Sequence, residues 1–446
     1  MKLSEIAATL REIRVSPVKS LGQNFLHDRN LTRWIVDQAQ VTPDDYVVEI
    51  GPGLGALTEF LLAKGAQVLA IEKDGRLAEF LTQRFSGQRV EVRHADALNF
   101  DVRALFMKAR VKVVGNLPYY LSSQLLLRFL KWPSPISLWM CMLQREMANR
   151  LSASPRTKDY GALTLQVQLH YRIEYLRTIP ASVFLPRPDI DSAIIRLWPR
   201  GPDELPACDD ALFAKLVRQG FSQRRKQLGK LLRGEVSNWQ ATADTLGFDP
   251  QVRAEELSLE KWIALTNYIR PILLSQAGAT DSEPFSVVDQ KDRVVGSAPR
   301  NKVHGDNLLH RAVHMLIFNQ KGEVFLQKRS PWKDRHPRAW DSSAAGHVNA
   351  GEDYDVAAAR ELEEELGIQT PLVRVAKLGA SERTGREFIW LYQGRSDGPF
   401  QLNRAEIEAG EFFPPAMIAE WIAARPGDFA PGFVECWAAY LETRNG

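Results

Sequence analysis

Cysteine is scarce in this chain of 446 residues: Cys141, Cys208 and Cys436 stand far apart, with no spacing of the kind that grips a metal. A disulfide framework and a cysteine zinc motif are thereby excluded, and a reducing compartment is expected. Long apolar runs are missing as well. No stretch of about eighteen apolar residues could form a membrane-spanning helix, and the opening MKLSEIAATLREIRVSPVKS lacks the apolar core of a secretory signal. A cytoplasmic protein with no membrane contact is expected. Internal repeats and low-complexity tracts are also absent. What is present, 45% hydrophobic and 25% charged residues, suits a soluble chain of two or three domains.

The net charge of +3 conceals an asymmetry. Up to residue 276 there are 37 Lys and Arg against 29 Asp and Glu, a net of +8; the remainder has 20 against 25, a net of −5. The mild basic excess of the first part suits either an RNA-facing surface or ordinary solubility. Between the two parts lies SQAGATDSEP, residues 275–284, small and polar, which reads as a linker. Before it, the strand-like runs YVVEI, QVLAIE, VEVRHAD, VKVVGN and SLWMCML alternate with helical patterns and predict a mainly parallel sheet with crossover helices. From about residue 205 the strands stop, and amphipathic segments such as DALFAKLVRQGFSQRRKQLGKLL predict a small helical domain.

The first of those strands runs into Gly51, Gly53 and Gly55 at a strand-to-helix turn, where glycine lets the backbone approach a ligand and a helix offers unpaired N–H groups. A tight connection would need the same residues. Glu72 ends the next strand, placed to bind both hydroxyls of a ribose, and Asp96 follows the third. The fourth ends in GNLPYYLSS. There a flat base can stack on Tyr119 while the Asn116 side-chain oxygen accepts from an exocyclic amine, leaving the nitrogen lone pair directed at an electrophile. Alone, the tetrapeptide Asn-Leu-Pro-Tyr also reads as a proline turn; the converging strand ends favour a pocket.

With KSLGQNFLHD, VVEIGPGLGALTEFLL, IEKD, HADAL, GNLPYYLSS, VFLPRPDIDSAIIRL and FSQRRKQLGKLL in order, residues 1 to about 275 resemble the small-subunit ribosomal RNA adenine-N6 dimethyltransferase family. The resemblance implies an S-adenosylmethionine-dependent enzyme that dimethylates two adjacent adenosines near the 3′ end of small-subunit rRNA. It implies donor binding by Asn24, Leu26, Gly51, Gly53, Glu72, Asp96 and Asn116, and amine positioning by Asn116 with Tyr119 stacking. It further implies a second aromatic, Phe184, on the other face of the base, and RNA-phosphate contacts from Arg224, Arg225 and Lys226 on a basic helical segment. The rivals are the antibiotic-resistance methylases of large-subunit rRNA, disfavoured by the extended FLPRPDIDSA and FSQRRK blocks, and non-catalytic relatives serving as transcription factors.

Past the linker, GHVNAGEDYDVAAARELEEELGI (346–368) satisfies G-x5-E-x7-R-E-U-x-E-E-x-G-U at every fixed position and resembles the Nudix box. Glu361, Glu364 and Glu365 fall at i, i+3 and i+4 of a helix, so three carboxylates share one face. Their repulsion is relieved by Mg²⁺ or Mn²⁺, which would bridge diphosphate oxygens and acidify water. Gly346 opens the box, Arg360 is expected to orient the glutamates, Glu352 to brace the loop or supply another carboxylate, and Glu387 to be either a remote ligand or an exposed strand residue. The flanking LLHRAVHMLIFNQKGEVFLQKRSPWKDRHPRAWDSSAAGHV resembles the branch that includes isopentenyl diphosphate isomerase. Those isomerases carry a cysteine soon after the tryptophan, whereas Trp340 is followed by Asp, Ser, Ser, Ala and Ala, so hydrolysis is expected instead. His310, His314 and His347 read as phosphate contacts or as packing residues. A folded, non-catalytic binding module is the alternative.

The expected fold is α/β throughout: a Rossmann-like class I methyltransferase sheet (1–204) with a small helical RNA-binding domain (205–275), a linker (276–283) and an α/β/α Nudix domain (284–446). The expected partners are small-subunit rRNA or its precursor particle and a diphosphate-containing small molecule, and the expected state is a monomer.

Overall fold

The apolar runs of the first half become neighbouring strands, and their order decides where a ligand can sit. In the computed structural model, which describes residues 3–17, 23–131, 133–201, 204–206, 208–269, 284–331 and 333–445, the chain divides into Met1–Arg270 and Pro271–Gly446. The segment expected as a linker, 276–283, lies outside the described residues.

In the first unit, the two-residue strand β1 (Phe25–Leu26) pairs with β8 (Phe184–Leu185). The main sheet comprises β2 (Tyr46–Ile50), β3 (Gln67–Glu72), β4 (Val90–His94), β5 (Val111–Asn116), β6 (Ile136–Gln144), β7 (Tyr171–Ile179) and β9 (Ser192–Pro199), in the order β4-β3-β2-β5-β6-β9-β7. From β4 to β6 the neighbours are parallel; β9 is antiparallel to β6 and β7. The chain winds outward from β2 in both directions, with β3 on one side and β5 on the other, so a crevice opens at the carboxyl ends of these strands. Every residue of β2 is buried. Val47 faces one core cluster and Val48 and Ile50 the other, the continuous apolar pattern of a strand covered on both faces. β7 escaped the pattern reading because its two buried residues, Tyr171 and Ile179, stand at its ends.

Helices Asp210–Gly220, Leu228–Leu231, Trp239–Leu246 and Leu259–Ile269 build the small helical part around Phe213, Leu216, Leu228, Trp262 and Ile263. Here the expectation of a basic helical segment is corrected. Arg224, Arg225 and Lys226 lie in the turns between the first two helices. The first helix stops at Gly220, where an added Cβ would stand 2.6 Å from the Trp262 ring.

Among the described residues, the second unit carries one nine-stranded sheet. Its strands are β10 (Pro284–Val288), β11 (Val294–Pro299), β12 (His310–Phe318), β13 (Val324–Arg329), β14 (Trp340–Asp341), β15 (Ala344–His347), β16 (Val373–Leu378), β17 (Glu387–Arg395) and β18 (Ile407–Phe413). Alternation along β12 sets the layers. Val313, Met315 and Ile317 pack with Ala357, Ala358, Leu362 and Leu366 of helix Tyr354–Leu366. The opposite side meets the C-terminal helix Pro431–Asn445: a Cβ added at Gly432 would stand 3.8 Å from the His314 ring, and Phe318 packs on Tyr440 with centroids 5.5 Å apart. Helices therefore cover both faces, the expected α/β/α arrangement. Among the described residues no helix is long and apolar enough to cross a membrane.

Candidate active sites

At the carboxyl edge of the first sheet, the turn after β2 carries Gly51 at φ +67° and Gly53 at φ +59°, backbone that favours glycine. Glu72, last in β3, accepts from Gly53 N at 3.1 Å and Asp74 N at 2.9 Å, so β3 and the glycine turn are tied by one carboxylate. Burial pushes the Glu72 pKa up and these N–H donors pull it back. Asp96 caps the turn after β4 through Leu98 N at 2.9 Å and pairs with Lys73 at 2.7 Å, which lowers its pKa. Asn116, last in β5, donates from Nδ2 to the Asn24 carbonyl at 2.9 Å, fixing the amide with its oxygen as acceptor.

Asn24, Leu26, Gly51, Gly53, Glu72, Asp96 and Asn116 all line one cleft, together with Pro118 and Tyr120. Tyr119 begins the short 3₁₀ turn after β5, but its side chain lies outside the described set. Phe184 is not brought to this wall. It is 2% exposed, held in β8 against Leu26 of β1 and packed in the core beside Val36 and Met140. Arg224 pairs with Glu255 at 2.5 Å, while Arg225 and Lys226 are exposed.

Pattern reading missed Glu49, which also lines the cleft. Burial pushes its pKa up to about 8 although Thr58 Oγ1 donates to it at 2.6 Å. The available signal was a single carboxylate inside an otherwise apolar strand.

In the second unit, Asp353 caps the amino end of helix Tyr354–Leu366 and Gly367, at φ +65°, ends it. Arg360 forks into the loop and along the helix. It meets Glu352 twice at 2.9 Å, Glu361 at 2.8 Å, Glu364 at 3.0 Å and the His347 carbonyl at 3.0 Å. Glu365 is turned inward, accepting from Gln327 Nε2 at 3.1 Å and Ala345 N at 3.0 Å.

Glu406, unanticipated from the sequence, stands just before β18, paired with Lys333 at 2.5 Å. Burial raises the pKa of Glu361 to about 7 against the pull of Arg360. It also raises that of Glu365 well above the usual range, with Glu406 adding to the effect. At Glu406 burial is opposed by Lys333, Glu365 and Arg300 together, which lower its pKa. Glu361, Glu365 and Glu406 thus interact through like charge beside one another, a repulsion that a hard divalent cation would relieve. Glu364 is the exposed member of the face, its side chain 55% accessible.

Glu387 is not with these glutamates. It heads β17 beside His310 and His347, at 3.4 and 3.3 Å. The parallel ladder sets Glu387 directly beside His310. One cavity is nevertheless lined by Glu361, Glu364, Glu387 and Glu406, with Arg300, Lys333 and Arg335 as basic residues in its wall.

Residues 16–270 match the family model described as ribosomal RNA adenine dimethylase, and residues 308–433 match that of the NUDIX domain. The ribosomal RNA small subunit methyltransferase A of Geobacillus kaustophilus (strain HTA426) is 40% identical over 267 residues, covering 57% of this chain and 91% of that protein. Its namesake in Geobacillus thermodenitrificans (strain NG80-2) is 38% identical over 270 residues, with the same coverage of 57% and 91%. A solved dimethyladenosine transferase from Plasmodium falciparum aligns with a TM-score of 0.47 and 24% identity, over 57% of this chain and 98% of that one.

Proposed function

Because the chain belongs to the ribosomal RNA adenine dimethylase family and carries a Nudix-family domain behind it, we propose that it joins two enzymes. The first transfers methyl groups from S-adenosylmethionine to the N6 amines of two adjacent adenosines near the 3′ end of small-subunit rRNA, a step of ribosome biogenesis. The second hydrolyses a diphosphate-containing small molecule.

The observation that carries the first reading is the Asn116 amide, anchored by Asn24 at the end of β5, in the same cleft as Glu72 and Asp96. Its oxygen accepts from the target amine and orients the nitrogen lone pair toward the methyl carbon. The N–C bond forms as the C–S bond breaks, and the surplus amine proton leaves to water. Glu72 and Asp96 supply acceptors for the donor's hydroxyl and amino groups, with Asn24, Leu26, Gly51 and Gly53 completing its wall. Tyr119 stacks on the base. Arg224, Arg225 and Lys226 meet RNA phosphates.

In the second unit, Glu361, Glu364 and Glu365, joined by Glu406, would hold Mg²⁺ or Mn²⁺. Such a cation, when bound, neutralises diphosphate oxygens and lowers the pKa of a bound water. Arg360 and Glu352 orient the ligands, Gly346 leaves room for Glu361, and Lys333 and Arg335 attract the substrate's charge.

The test supplies the full-length protein with donor and, in separate reactions, with small and large ribosomal subunits lacking these methyl groups, then counts N6,N6-dimethyladenosine by mass spectrometry of the digested RNA. Two dimethylated adenosines near the 3′ end support the reading. Modification confined to large-subunit RNA would overturn it.

A further inference from the structure

Among the described residues, strands β12 and β13 pair at only two positions, Ile317 with Phe325 and Phe318 with Val324. Away from that contact they part: β12 takes up β15 and β17, while β13 takes up β14 and β18. The sheet is therefore notched. Residues from both lips of the notch line the cavity that also holds Glu361, with His314 and Ala345 on one side and Arg329 and Asp341 on the other. His314 stands opposite Ala345 in the ladder, next to Gly346, whose missing side chain makes room for Glu361. Consecutive strand residues are about 3.4 Å apart, so the group carried by a diphosphate held at Glu361 need only be short to reach His314.

His314 is 6% exposed, and its two ring nitrogens differ in what they meet. Nδ1 shares a hydrogen bond with the Ser342 hydroxyl at 2.8 Å and lies 3.8 Å from Asp341 Oδ1. These partners are themselves fixed. Ser342 is fully buried and its N–H donates to Asp341 Oδ1 at 2.8 Å, while Arg329 Nη1 donates to Asp341 Oδ2 at 2.9 Å. The other edge of the ring faces Gly432, the second residue of helix Pro431–Asn445, where an added Cβ would stand 3.8 Å from both Cε1 and Nε2. Gly432 presents no side chain to Nε2, and among the described residues none hydrogen-bonds to it.

A nearly buried ring with one nitrogen occupied and the other opening on a cavity is a recognition group. Whichever nitrogen carries the proton, Nε2 has one hydrogen bond to give or to accept, and a hydroxyl serves in either role. A hydrocarbon chain serves in neither. It would bury Nε2 unpaired and lie against the Arg329–Asp341 ion pair, and a site built for a hydroxyl rejects the analogue lacking one for this reason.

We propose that His314, oriented by Ser342 and Asp341, binds a hydroxyl on the group esterified to the diphosphate, so that the second unit takes the diphosphate ester of a small sugar or polyol rather than of a hydrocarbon alcohol. This rests on the diphosphate reading above and specifies what lies beyond the phosphates. His314 contacts the substrate, and Ser342 is a positioning residue that acts only through the imidazole. Gly432 supplies clearance on one side of the cavity as Gly346 does on the other.

The test measures binding to the full-length protein, by isothermal titration calorimetry in Mg²⁺, of methylenediphosphonate, its propyl ester and its 2,3-dihydroxypropyl ester. None of these probes is hydrolysed, and the two esters differ only in their hydroxyl groups. Wild type should bind the diol about fivefold or more tightly than the propyl ester. In His314→Phe, which keeps a ring in place, the preference should vanish, and in Ser342→Ala it should fall partway, with circular dichroism reporting that each variant is folded. A wild type that binds both esters alike, or favours the propyl ester, would overturn the proposal whatever the variants do. So would an undiminished preference in folded His314→Phe or, should that variant not fold, in Ser342→Ala. Binding of methylenediphosphonate without a preference for the diol sinks this inference and leaves the diphosphate reading standing; no binding of methylenediphosphonate overturns both.

Discussion

The carboxyl group of Glu361 occupies the space a side chain on Gly346 would fill: an added Cβ would stand 1.9 Å from the carboxyl carbon. The glycine is required for clearance, since its φ is not in the left-handed region. Gly346→Ala should displace Glu361 by an ångström or more, and a displacement of that size costs roughly a hundredfold in rate. Phosphate release from a panel of nucleoside and isoprenoid diphosphates measures the effect. Hydrolysis close to wild type in this variant would show that Glu361 is not needed where it stands.

Glu49 makes stability depend on pH in a particular direction. Its pKa is about 8 in the folded chain against 4.5 when unperturbed, so between these values the folded state keeps a proton that the unfolded state releases. More protons bound in the folded state means stability falls as pH rises through this window. Glu49→Gln keeps a partner for Thr58 and removes the titration. Thermal unfolding at about pH 5 and about pH 8.5 should show the variant gaining on wild type at the higher pH. Parallel curves would contradict a protonated Glu49.

Asn116→Ala removes the acceptor for the target amine while leaving β5 in place. Dimethylation should fall by about two orders of magnitude or more, with the melting temperature little changed. Near-normal methylation by a folded variant would refute the positioning role.

Much of this was legible because chemistry and topology coincide in short motifs. Gly51, Glu72, Asp96 and Asn116 each follow or end a strand whose apolar run is unmistakable, and parallel strands deliver their carboxyl ends to one edge. The Nudix helix announces itself by Asp353, Gly367 and the glutamate spacing between them. What the sequence did not disclose depends on contacts distant along the chain. Glu406 reaches Lys333 across 73 residues. Phe184 is buried through its pairing with Leu26, and Glu387 joins the histidines through a parallel ladder. The basic run at Arg224 looks helical, yet the helix before it stops at Gly220, where the Trp262 ring packs closely against the backbone. Long-range packing overrode local pattern in each case.

The independence of two active sites on one chain is tested by assaying both reactions in wild type, Asn116→Ala and Glu365→Gln. Glu365→Gln removes a metal-binding charge at nearly constant shape, so diphosphate hydrolysis should fall steeply while rRNA dimethylation persists; Asn116→Ala should do the reverse. Loss of dimethylation in a folded Glu365→Gln protein, or of hydrolysis in Asn116→Ala, would contradict independence and show that the two sites are coupled.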